Sequence, residues 1–181
     1  NKVYLLLGEL HETYKTILNE EKNLNAVFNE GKSGKISKGE NYMGLPYAIL
    51  DYPAVFKKEN VFAIRTMFWW GNFFSITLHI SGSERMQEIN IHKLLKNLLG
   101  MNFFLCVNEN QWEHDFNRTN YLPASKISGN ILAEISSNNF LKISKRIDLQ
   151  KWDEAPAFLE KGYRELMEII KANFLTGEKV L

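Results

Sequence analysis

Arg65, Ser75, Thr77 and His79 are the side chains whose types and spacing best suit chemistry. A guanidinium grips carboxylate or phosphate through two parallel hydrogen bonds, and hydroxyls add further contacts. An imidazole exchanges its proton near neutral pH, as a general acid or base must. Ser75, Thr77 and His79 alternate along the chain, so a strand would place them on one face. Asp51, in an earlier apolar run, stands either to orient His79 or to pair with Arg65. Trp69 and Phe73 add aromatic walls, and pockets commonly combine such walls with a few convergent polar groups. The plain structural alternative is a sheet face covered by a helix or a partner, with Arg65 satisfied by Asp51 and His79 by a backbone carbonyl.

Only a β-hairpin over residues 61–80 brings these residues together. Val61 to Trp69 and Phe73 to Ile80 are rich in aromatic and β-branched residues, with Gly71-Asn72 between them. Shifting a strand by one residue turns every side chain to the other face, so register decides the site. A two-residue turn sets Ile64 opposite His79 and mixes apolar with polar residues. A Trp70-Gly71-Asn72 loop instead pairs Phe68 with Phe74, Thr66 with Ile76, Ile64 with Leu78 and Phe62 with Ile80. The second register predicts a core face of Phe62, Ile64, Phe68, Phe74, Ile76, Leu78 and Ile80. Its opposite face carries Arg65, Met67, Trp69, Phe73, Ser75, Thr77 and His79, with Arg65 across from Thr77 and His79 across from Ala63.

Other motifs lack the context their chemistry requires. Gly31-Lys32-Ser33 invites comparison with a phosphate-binding loop, but the required earlier glycine is Ala26, within a predicted helix. His11-Glu12 has Lys15 where a zinc-hydrolase helix needs its second histidine. Glu109, Glu113, His114 and Asp115 form the densest group of potential ligands; without paired-His or paired-Cys spacing they read as a solvated acidic turn, with Trp112 anchored to the core. Cys106, in an apolar run, reads as a buried inert thiol. No metal or cofactor is expected. Trp69, Trp70, Phe73 and Phe74 suggest base stacking, but such platforms also need a basic groove, so nucleic acid is not expected as a partner. An exposed tryptophan pair at the hairpin tip would equally suit a homodimer interface.

The surrounding elements follow from hydrophobic periodicity. Leu7, Leu10, Tyr14, Ile17, Leu24 and Phe28 keep a three-four spacing broken once at Glu21, which predicts a helix over 3–29. The glycines and lysines of 31–46 show no period and predict a loop of about fifteen residues, long enough to be mobile or functional. A short strand should end at Asp51-Tyr52-Pro53, since proline interrupts a central strand. Ser81-Gly82-Ser83-Glu84 could open a helix to Leu99, with Asn90 as the cap of a shorter one; both end at Gly100. Met101 to Val107 predicts a strand leaving the core into an exposed segment at 108–115, and 117–138 carries no assignment. Leu141, Ile143, Ile147 and Leu149 alternate with polar residues, which reads as a strand with one wet face at an edge of the sheet. Asp153 caps a final helix with Pro156 in its first turn and Leu159, Tyr163, Leu166, Ile170 and Phe174 along one stripe, ending before Gly177.

These elements predict a single α+β domain over 1–181: an antiparallel sheet of about five strands, packed by long N- and C-terminal amphipathic helices. The near balance of 22 basic and 21 acidic residues argues against a strongly cationic nucleic-acid binder. The single cysteine gives no sign of an oxidising compartment, and no apolar run approaches a membrane span, so a cytoplasmic protein without membrane contact is expected. The reading is a binding or interaction module, with the aromatic hairpin as the candidate homodimer contact. Its alternative is a small enzyme acting on an anionic substrate, with Arg65 as anion binder and His79 as general acid or base.

Overall fold

The structure is a computed structural model that describes residues 2–24, 28, 33–58 and 60–174. Helix α1 (Lys2–Glu20) opens it, burying Leu6, Leu7, Leu10, Tyr14, Ile17 and Leu18 along one stripe. It ends where Glu21 interrupts the apolar spacing, rather than continuing to residue 29. Leu24 and Phe28 are nonetheless fully buried, and Phe28 stacks on Phe62 at 4.7 Å; the rest of 25–32 lies outside the described residues.

Four strands follow without a break for a helix: β1 (Lys35–Tyr42), β2 (Leu45–Lys57), β3 (Asn60–Trp69) and β4 (Phe73–Ser81). Half of the predicted 31–46 loop is therefore strand β1, and its last two residues open β2. Its lysines, glutamate and glycine suit the outer edge of a sheet, where charge and weak pairing discourage a further strand. Gly39 is required there, because a Cβ would lie 2.2 Å from the Tyr47 ring. Strand β2 also outruns its predicted end. The ladder to β3 shifts between Asp51 and Ala54, and this bulge houses Pro53, which cannot donate to a regular ladder. The hairpin of β3 and β4 has the predicted register at every pair, Phe68 with Phe74 through Phe62 with Ile80.

Helix α2 (Ser83–Gln87) and helix α3 (Ile91–Leu98) divide the next segment, and Asn90 caps α3 by accepting from the Lys93 N–H at 3.0 Å. Gly100, with φ of 79°, terminates the run. Short strands β5 (Phe104–Cys106) and β6 (Tyr121–Pro123), helix α4 (Gly129–Ser137), strand β7 (Phe140–Asp148) and helix α5 (Ala155–Phe174) complete the fold. A 3-10 turn over Leu149–Glu154 leads into α5, so Asp153 sits inside that turn; Asp148 caps it instead, accepting from the Gln150 N–H.

The strands form one antiparallel sheet in the order β1-β2-β3-β4-β7-β5-β6, seven rather than about five. β7 is not an edge strand but lies between β4 and β5. Both long helices pack on one face, where Tyr14 of α1 stacks on Tyr163 of α5 at 3.9 Å and Leu159, Leu166 and Ile170 meet the predicted core face of the hairpin. Gly162 permits this approach, since a Cβ there would lie 2.7 Å from Ile76 Cγ2.

Candidate functional site

The hairpin register places Asp51, Arg65, Thr77 and Ser144 in one row across β2, β3, β4 and β7, on the face away from the long helices. The next row holds Ala63, His79 and Lys142. The predicted site residues do share a face, but that face is covered. Residues 107–120, joining β5 to β6, fold back over it instead of projecting as an exposed segment. Ser75, Thr77, His79 and Lys142 are all buried.

Contacts distant in sequence pin this loop. Tyr42, at the end of β1, accepts from the backbone N–H of His114 at 2.8 Å and of Asp115 at 3.1 Å, and donates to the Glu113 carboxylate at 3.0 Å. The Val107 N–H closes the neck on the Asn120 carbonyl at 2.8 Å. Asp115, buried rather than solvated, accepts from Asn117 and Asn120. Phe116 wedges between Phe73 and Phe104, 5.3 Å from each, and stacks on Tyr121. A compact loop with closed ends and its own packing is a common carrier of function.

Asp51, Arg65, Thr77 and His79 each have a definite partner. Arg65 grips Asp51 with two forked bonds, Nε to Oδ1 at 2.8 Å and Nη2 to Oδ2 at 3.0 Å, so Asp51 serves Arg65 and not His79. Thr77 Oγ1 and Ser144 Oγ lie 2.6 Å apart. His79 Nε2 meets Gln111 Oε1 at 2.8 Å, a side-chain amide where a backbone carbonyl was expected; the amide oxygen only accepts, so Nε2 carries the proton. Trp112 covers His79 with ring centroids 5.3 Å apart, yet remains 48% exposed, a lid edge rather than a core anchor. Trp69 and Phe73 line no open wall, because they close a cluster with Ile49 and Met67. Trp70 turns to the other face against Phe68 at 4.4 Å. The hairpin tip therefore does not present an exposed tryptophan pair.

Lys142 is the residue that sequence reasoning missed. Its side chain is 1% exposed, forms no ion pair among the described residues, and donates one hydrogen bond, to the Glu113 carbonyl. Its ammonium also faces the Tyr121 ring at 5.4 Å. Burial, with the nearby Arg65 guanidinium adding to it and the Cys106 and Glu113 side chains opposing it, lowers the Lys142 pKa to about 8. Burial likewise brings His79 down to about 4, and the Lys142 and Arg65 charges push the same way. His114 is lowered further by burial and by the same two cations. The alternation Leu141-Lys142-Ile143-Ser144 was visible in sequence; what covers Lys142 was not.

A cavity of about 350 Å³ opens at the outer end of this face, lined by Ser33, Lys35, Asp51, Ala54, Val55, Phe56 and Lys57. It shares Asp51 with the Arg65 pair, and the Arg65 guanidinium lies 6.0 Å above the Phe56 ring. Among the described residues no group of three or more His, Cys, Asp or Glu side chains is arranged to hold a metal ion. Cys106 is buried and its thiol pKa is raised by desolvation, which disfavours the nucleophilic thiolate. Also among the described residues, no helix is long and apolar enough to cross a membrane. Searches against protein-family models, curated proteins and solved structures find no match for this chain.

Proposed function

We propose that the chain is a binding module for a small anionic ligand, carboxylate or phosphate, received on the covered face of the sheet beside Lys142, Arg65 and His79. The observation that carries this reading is Lys142. A buried ammonium has three N–H donors and needs acceptors or a counter-ion to offset its desolvation, but among the described residues Lys142 has a single carbonyl. An anion seated there supplies the missing acceptors. The 107–120 loop acts as the cover, lifting to admit the ligand and closing over it.

The enzyme alternative has weaker support. Arg65 already spends its Nε and Nη2 on Asp51, and the Nε2 proton of His79 is held by Gln111. The homodimer reading lacks the exposed tryptophan pair that motivated it. A cytoplasmic setting is consistent with the lone, buried, unpaired thiol of Cys106.

Thermal melting with phosphate or acetate against chloride, at constant ionic strength, tests the reading. At ligand concentrations about 100-fold above Kd, the wild type should gain about 5–10 °C in Tm. Lys142→Met should show no gain. Absence of a shift with either anion, or an equal shift in Lys142→Met, overturns the proposal.

A further inference from the structure

A second cavity, on the other face and independent of Lys142, lies where the start of α1 meets the tip of the hairpin. It measures about 450 Å³ and is lined by Lys2, Val3, Phe68, Trp70 and Trp152. Three of its five lining residues are aromatic, and their rings stand nearly at right angles. Phe68 and Trp70 make an interplanar angle of 86°, and Phe68 and Trp152 make 78° at 5.9 Å. Trp152 is fixed from behind by Phe74 at 5.2 Å, so the walls belong to the packed core and not to a loose surface. Trp70 and Trp152 are each only half-buried.

We infer that this cavity is a binding site for a planar aromatic ring carrying an acidic group. Perpendicular walls let one flat ring stack against one neighbour while offering its edge to another, the two arrangements that aromatic quadrupoles favour. The sign of the ligand's charge follows from the mouth. Among the described residues Lys2 is the sole charged one lining the cavity; it is exposed and forms no ion pair with the others. The first-turn amides of α1 lie at the same mouth, at the positive end of the helix dipole. Cages of aromatic rings also recognise quaternary ammonium groups, but they do so without a competing cation at the entrance. Here Lys2 repels such a ligand.

Phenylacetate, benzyl alcohol and benzyltrimethylammonium share one ring and differ in charge, so titrating each while following tryptophan fluorescence and calorimetric heat tests both parts of the proposal. Phenylacetate should bind saturably and tightest of the three. Lys2→Gln, at an exposed position that does not threaten folding, should weaken it about tenfold, to the level of benzyl alcohol. Trp152→Leu should weaken all three probes, with far-ultraviolet circular dichroism confirming that the variant is folded. Phenylacetate binding should persist in Lys142→Met, which separates this site from the one under the loop. Tighter binding of benzyltrimethylammonium, unchanged phenylacetate affinity in Lys2→Gln, or no saturable binding by any probe overturns the inference.

Discussion

Lys142 and Lys145 sit three residues apart on β7 and enter opposite faces of one sheet, and both are buried. On the helix face Lys145 meets the carboxylate of Glu165, donates to the Met101 carbonyl at 3.3 Å, and lies over the Phe103 ring at 4.5 Å. On the loop face Lys142 has one carbonyl and one ring. The cation under rigid helices is matched by an anion from the same chain, whereas the one under a loop is left short of acceptors. The helix face is arranged for stability, and the loop face retains a charge that a ligand can use.

Breaking each side separately sharpens that contrast. Glu165→Ala strands a buried charge and should cost about 3 kcal/mol in urea denaturation. Lys142→Met removes a buried charge that forms no ion pair among the described residues, and should leave stability within about 1 kcal/mol of wild type or raise it. Equal losses in the two variants would erase the distinction between the faces.

The pH dependence should separate the faces next. The unfolded His79 titrates near 6.5 and the folded one near 4, so between these values the unfolded chain binds more protons. Stability should therefore fall as pH drops from about 6.5 toward 4, with His114, also lowered, adding to the loss. Lys142 acts at the alkaline end. Its folded pKa of about 8 lies below the unfolded value of 10.5, so stability should rise from pH 8 toward 10, and this rise should vanish in Lys142→Met. Buried Tyr14 and Tyr163 on the helix face, and Tyr121 and Cys106 on the loop face, have raised pKa values, so ionisation of the unfolded chain should oppose the gain from about pH 9 and reverse it above about pH 10. Denaturation across pH 4 to 11, in wild type and Lys142→Met, reads all three windows.

The most local expected effect comes from the loop's latch. Tyr42→Phe deletes the hydroxyl that holds the His114 and Asp115 amides and should cost about 1–2 kcal/mol. The cost should be local: hydrogen exchange should quicken at loop amides within 107–120, while α1 and α5 keep their protection. Uniform quickening across both faces would show that the loop is not a separate unit.

The hairpin register was legible in sequence because its turn length and its two faces gave one consistent answer; the Asp51–Arg65 pair was one of two roles left open for Asp51. Strand β1 was not legible, since Lys35, Ser37, Lys38, Gly39 and Glu40 carry no apolar alternation and pair only because β2 offers an edge. The internal place of β7 was hidden by its lysines. Long aliphatic stems can lie along apolar surface while their heads find partners, whereas in sequence Lys142 reads as solvent-facing and Lys145 as a break in the alternation. The cover of the site was beyond local reading altogether, because Tyr42 and His114 meet only in the folded sheet.

The most direct test observes the Lys142 ammonium itself. NMR of the 15N-labelled lysine Nζ groups, assigned by the loss of one signal in Lys142→Met, gives its titration with and without phosphate. The account predicts a pKa near 8 in chloride, moving upward toward the ordinary lysine value when phosphate binds and supplies the missing acceptors. A Lys142 titration that phosphate leaves unchanged would contradict it.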